Sequence, residues 1–253
     1  MTQKKPDKPQ PKADPGTSQP NGPDWQAYFK NRAESAKDPR LKKFYACGTF
    51  AADTPVSELP FVALDLETTG LDAQKHGIVS IGLVPFSIRR IRCAHSRYWV
   101  LRPRRELDQG SVPFHHITHS DLLEAPDLNE ILDELLAALA GRVVVVHYRG
   151  IERPFLRRAV RDRLGEPLEF PLIDTMELEA RVYRRRHWAR RFLAGLVGRK
   201  PQSIRLAQSR SRYKLPQYGA HHALTDALAT AELLQAQIAW RYGPDTPLGE
   251  LWC

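Results

Sequence analysis

The stretch Phe61-Val62-Ala63-Leu64-Asp65-Leu66-Glu67-Thr68-Thr69-Gly70 decides the fold. Phe61 to Leu66 is almost wholly apolar and runs into Glu67-Thr68-Thr69-Gly70, a turn, so it reads as a buried strand ending at a loop. Residues two apart in an extended chain point the same way, so Asp65 and Glu67 can present both carboxylates to one site. Downstream, Ile78 to Phe86 reads as a second strand. Ile91 to Leu101 reads as a third, with charged residues that suit an edge. Leu122 to Leu139 has apolar residues at helical spacing, with Pro126 near the start of the helix proper and Gly141 beyond its end. Val143 to Val146 is four consecutive valines, which fits a central strand buried on both faces. Ile151 to Leu164 reads as a helix and Phe170 to Ile173 as a short strand, and Asp174 can cap a helix starting near Thr175. The Ala/Leu-rich run from Ala223 to Trp240 is a last helix. This order of elements predicts an α/β fold in three layers around a central mixed sheet.

Upstream, residues 1–22 are rich in Pro, Lys and Gln and read as a flexible tail. Residues 23–58 read as a helical extension, with Trp25, Tyr28, Phe29, Phe44 and Tyr45 available to dock it onto a compact domain over 59–245. A chain of 253 residues has room for one such domain and its appendages.

The formal charge is +9, from 38 Lys and Arg against 29 Asp and Glu. It is concentrated: residues 181–214 hold 12 Lys and Arg and no Asp or Glu, leaving the rest of the chain slightly acidic. A local anion-binding patch fits this better than a uniformly basic surface. Trp188, Phe192 and Leu193 interleave with Arg184, Arg185, Arg186, Arg190 and Arg191. Nucleic-acid phosphates are the favoured target; an ordinary amphipathic helix, a membrane surface and an acidic protein are the other readings. Apolar runs fall well short of the ~20 residues that span a bilayer, so no membrane insertion is expected. Cys47, Cys93 and Cys253 are too scattered for a disulfide framework and suit a reducing cytoplasm. The sequence contains no zinc-type Cys/His spacing, no G-x-S-x-G and no Walker A motif.

Asp65, Glu67, Glu152 and Asp226 each sit at the start or end of an inferred element, and His221 precedes Asp226 by five residues. Open α/β folds place their sites at strand ends. Crowded carboxylates repel unless cations neutralise them, and an all-oxygen donor set suits Mg²⁺ or Mn²⁺. Two such ions form the usual clamp for phosphodiester hydrolysis, and a nearby histidine can take the water's proton. Taken singly, Asp-Leu-Glu at a strand end is common surface chemistry, and a histidine at a helix start is more often structural. An Asp amid Ala and Leu in a helix is more telling, because it is a poor helix former and costly to bury unpaired.

Three stretches together carry a resemblance. Phe61 to Leu71 resembles the first motif of the DEDD 3′–5′ exonuclease superfamily, in its histidine-containing branch, which includes the proofreading subunit of bacterial replicative DNA polymerase. His147-Tyr148-Arg149-Gly150-Ile151-Glu152-Arg153-Pro154-Phe155-Leu156 resembles the middle motif, and His221-His222-Ala223-Leu224-Thr225-Asp226-Ala227 the third. The resemblance spans about 59–240 and implies a ribonuclease H-like fold. It implies Asp65, Glu67, Glu152 and Asp226 as ligands of two Mg²⁺ or Mn²⁺ ions and His221 as general base. It places Thr68 and Thr69 near the terminal nucleotide. Arg184, Arg185, Arg190 and Trp188 are expected to hold the strand. The implied activity is release of 5′-mononucleotides from a 3′ end, of single-stranded DNA first. RNA 3′-end trimming and an impaired, binding-only protein are the alternatives. The chain departs from the family at Glu152, where Asp is usual, and at Tyr148, where Asn is usual. His147 reads as structural or as a partner of the site, His222 as outward or packing, and His115 and His116 as solvated loop residues, with substrate contact the other reading.

Overall fold

The computed structural model describes residues 24–104, 117–182, 202–219 and 221–253. Among these, six strands make one sheet: β1 (Phe61–Thr68), β2 (Ile78–Ser87), β3 (Arg90–Ile91), β4 (Arg97–Val100), β5 (Val143–Val146) and β6 (Leu172–Asp174). The helices are α1 (Trp25–Ser35), α2 (Pro39–Ala46), α3 (His119–Glu124), α4 (Leu128–Leu139) and α5 (Arg149–Leu164). They continue with α6, described over 175–182, α7 (Leu206–Arg212) and α8 (Ala223–Gln237). The sheet is mixed: β1 pairs antiparallel with β2 and parallel with β5, and β5 pairs parallel with β6. Helices flank it, α8 lying along β1, β2 and β5 and α5 against β1 and α4. This is the expected three-layer α/β architecture of ribonuclease H-like type.

The four valines of β5 are all buried, as are Phe61 to Leu64 of β1. Each buried Val, Leu or Phe side chain among them contributes about 1.5–3 kcal/mol on leaving water. The aromatic residues of α1 and α2 join the same core, where Phe29 meets Tyr45 edge-on at 5.1 Å. Glu166 fixes that hairpin: it accepts from the main-chain N–H groups of Lys37 and Asp38 and pairs with Arg32 at 2.8 Å.

Two expected elements are divided. The strand expected from Ile91 to Leu101 is two short ones around a 3₁₀ turn at Cys93–His95. β4 pairs with Ser80 to Leu83 of β2, and β3 with Phe86 and Ser87, so five residues of the edge lie opposite two of β2. One of those two is Pro85, which has no N–H for the ladder. The helix expected from Leu122 to Leu139 is α3 and α4, separated at Ala125-Pro126-Asp127. Ala125 is extended, as a residue before proline must be, and Asp127 starts α4 with a capping box to Glu130. The last helix is α-helical to Gln237 and closes in a π-helical turn at Ile238–Tyr242.

Candidate active site

The site is assembled at the end of β1. Asp65 pairs in register with Gly82 of β2 and Glu67 with Ser80, so both acidic residues lie on one face of the sheet. The start of α8 rests directly on that face. A Cβ added to Gly82 would lie 2.3 Å from the carbonyl carbon of Ala223, so only glycine admits the helix at this depth. That contact brings Asp226, in the first turn of α8, over β1. Carboxylate oxygens of Asp65, Glu67 and Asp226 lie within 4.8 Å of one another.

Glu152, in the first turn of α5, is outside this group of three but close enough to act on it. Its side chain is 3% exposed, and Oε2 is buried without a hydrogen-bond partner. Burial and the charges of Glu152, Asp226 and Glu67 hold the Asp65 carboxyl well above the usual carboxylate range. Burial and the Asp174 charge push Glu152 up as well. Asp226 is raised by burial and by Glu67, against hydrogen bonds from the main chain at His221 and His222. Three carboxyls whose charged forms are disfavoured, Asp65, Glu152 and Asp226, one of them with an orphaned oxygen, are matched by hard divalent cations. Asp65, Glu67 and Asp226 fit as ligands, with Glu152 within reach of the same charge.

His221 is exposed and adopts the left-handed conformation, φ +68°. Its main-chain N–H donates to Asp226 Oδ2 at 2.9 Å, so the acidic residue holds the turn that presents the imidazole. Of the two readings of His222, outward or packing, the second holds: its ring stacks on Tyr98 of β4 at 4.7 Å. His147 Nδ1 lies 2.8 Å from Thr175 Oγ1, whose hydroxyl donates to the Val146 carbonyl. The Thr175 proton is thereby committed, so Nδ1 is the donor to Thr175. Burial pushes His147 down to about 4, a neutral imidazole that braces β5. Thr68 donates to the Gly70 carbonyl, and Thr69 accepts from Gly77 N–H, so both hydroxyls shape the loop after β1.

Arg184, Arg185, Trp188 and Arg190 lie outside the described residues, as do His115 and His116. The described end of the basic segment is partly consumed by the fold. Arg210 is 3% exposed and donates to the carbonyls of Ala229 and Pro216 and to Glu232. Arg212 pairs with the fully buried Glu179 at 2.8 Å. Gly82, Tyr98, Asp174 and Thr175 all position the site. Gly82 carried a sequence signal for this role, a glycine inside an apolar strand, which marks a close backbone approach, whereas Asp174 was legible only as a helix cap.

The RNase T family profile, described as "Exonuclease", matches residues 62–234. The chain is 29% identical over 179 residues to the DNA polymerase III subunit epsilon of Treponema pallidum, covering 71% of this chain and 76% of that protein. It is 28% identical over 181 residues to the PolC-type DNA polymerase III of Thermotoga petrophila, covering 72% of this chain. It spans only 12% of that polymerase's length. The fold is similar to the nuclease domain of 3′hExo, a DEDDh family member, bound to rAMP, with TM-score 0.59, 14% identity and coverage of 78% and 97% of the two chains. The match from β1 through most of α8, over the stretch that holds the carboxylate cluster, makes this chain a member of the RNase T exonuclease family.

Proposed function

We propose that the protein is a 3′–5′ exonuclease that hydrolyses the terminal phosphodiester bond of DNA and releases 5′-mononucleotides. The observation that carries this reading is the Asp65–Glu67–Asp226 cluster, its carboxylate oxygens within 4.8 Å of one another. Two Mg²⁺ or Mn²⁺ ions held there, with Glu152, would activate water and neutralise charge on the phosphoryl oxygens. The remaining work falls to the chain's own groups. His221 accepts the proton of the attacking water as the new O–P bond forms, the P–O3′ bond breaks, and the 3′-oxygen is protonated from solvent. The turn held by Asp226 keeps the His221 imidazole beside the cluster. Thr68 and Thr69 fix the loop that faces the terminal nucleotide, and Arg184, Arg185, Arg190 and Trp188 retain the strand behind it. The partner is a nucleic acid with a free 3′ end, single-stranded DNA first. The free cysteines Cys47, Cys93 and Cys253 fit a cytoplasmic setting.

A second reading rests on Glu152. Its longer arm stands outside the close group of three, which suits a protein that binds strands without cutting them. The deciding experiment uses 5′-labelled single-stranded DNA, duplex DNA and RNA, each with Mg²⁺ or Mn²⁺. Stepwise shortening that disappears in Asp65→Ala supports the exonuclease, and the preferred substrate identifies the sugar. Binding without shortening in either metal overturns it.

A further inference from the structure

The end of β5 carries a residue that the carboxylate cluster does not use. Tyr148 has φ 93° and ψ 74°, a left-handed conformation unfavourable for a bulky side chain. It is held there from outside: the N–H groups of Tyr148 and Arg149 donate to the two carboxylate oxygens of Asp174, each at 3.0 Å. The ring is fixed as well. A Cβ on Gly150 would lie 2.7 Å from Tyr148 Cζ and 3.0 Å from its hydroxyl oxygen, so the ring rests against the Gly150 backbone. Tyr148 precedes α5 but makes no side-chain hydrogen bond to cap it, and it is 51% exposed. The parallel pairing of Ala63 with Val145 brings β5 out of the sheet beside the Asp65–Glu67 end of β1. Glu152, one turn on, is near enough to raise Asp65.

We propose that Tyr148 is a stacking platform for one nucleobase of the bound strand, close to its 3′ end; this rests on the exonuclease reading above. A ring held against the backbone on one side and open to water on the other gives up little freedom when a base covers it. It is insensitive to sequence, because every base has a π-face. The contact belongs to strand binding and leaves the carboxylates and His221 untouched.

The test uses Tyr148→Gly and Tyr148→Asn, both of which tolerate the left-handed backbone, and Tyr148→Phe, which keeps the ring. On single-stranded oligonucleotides, the Gly and Asn variants should raise KM roughly ten-fold with kcat little changed, while Phe behaves as wild type. Oligonucleotides abasic at each of the last three positions provide the second arm. At one position the Gly variant should lose its disadvantage, and there the wild type itself should bind roughly ten-fold more weakly. Unchanged KM in both variants, a fall in kcat at constant KM, or a disadvantage that persists on all abasic substrates would overturn the proposal. Should both variants fail to fold, the wild-type comparison still decides, since indifference to all three abasic positions sinks the idea. If the wild type cuts nothing, the exonuclease reading fails separately, and the same comparisons are read as dissociation constants in metal-free buffer.

Discussion

Asp65 sits where three other carboxylates press on it, and burial with those charges holds its carboxyl well above the usual range. A group whose folded-state proton affinity is raised makes the native state less stable once it ionises, so at neutral pH the metal-free cluster works against the fold. Asp65→Asn removes one of the mutually repelling charges. We expect its melting temperature in EDTA to exceed that of the wild type. The wild type should gain stability on adding Mn²⁺, by mass action on the native state, and the variant should gain little. Hydrolysis by Asp65→Asn should fall at least ~100-fold, so stability without metal and activity move in opposite directions. A wild type indifferent to Mn²⁺ in a thermal melt would contradict this. Asp226 was legible in the sequence because an Asp inside an Ala/Leu helix conflicts with local preference, whereas Asp65 and Glu67, ordinary at a strand end when taken singly, stood out only through the three motifs taken together. The Asp174 clamp on Tyr148 was not legible, since that acidic residue reads equally well as the cap of α6, a role it also performs through the N–H groups of Met176 and Glu177.

At the scale of elements, the site depends on how deeply α8 enters the sheet. Gly82→Ala inserts a methyl group against the Ala223 backbone, which cannot move as a flexible side chain would. Overpacking of this kind costs about 1–3 kcal/mol, and the helix it displaces carries Asp226. We expect a lower melting temperature and a kcat reduced ten-fold or more, with weaker Mn²⁺ dependence measured by titration; an Ala variant of wild-type activity would show that α8 approaches differently. The far end of the same helix is held by Glu179, which is fully buried and accepts from Tyr213, Gln237 and Arg212. Burial alone would raise its carboxyl, but these donors more than offset that and hold it low. The stability it supplies is therefore present above the ordinary carboxylate range and is lost as pH falls through its depressed value. Glu179→Gln should cost about 1–3 kcal/mol at pH 7 by urea denaturation, and the difference from wild type should narrow below about pH 4. Helices were legible through the spacing of their apolar residues, and the buried strands through short apolar runs. The two interruptions were missed because each depends on one proline: Pro126 breaks a helix, and Pro85 breaks a ladder from the opposite strand.

For the molecule as a whole, the proposed way of holding substrate sets an acidic centre against a basic segment. The carboxylate cluster is acidic, whereas residues 181–214 carry 12 Lys and Arg and no acidic residue. The described part of that segment shows that its charge is not all available. Arg210 is spent on the α7–α8 contact and Arg212 on Glu179, and Arg181 reaches the Glu250 carbonyl and Glu177. On the exonuclease reading proposed above, phosphates are left to the other nine basic residues of the segment, five of which are the arginines between 184 and 191. A protein that neutralises several phosphates releases their counterions, so binding weakens linearly in log salt, with a slope of about −0.7 per phosphate on single strands. Replacing Arg184, Arg185 and Arg190 together with Gln should lower affinity for a single-stranded oligonucleotide at low salt and flatten that slope by about 2, whatever the base sequence. The melting temperature should stay near that of the wild type, since among the described residues the buried pairs that fix α7 and α8 are made by Arg210 and Arg212. Fluorescence anisotropy across a salt series measures the slope directly. An unchanged slope would move the phosphate contacts off this flank, and a slope flattened as much by Arg212→Gln would mean that the Glu179 pair opens to meet the strand.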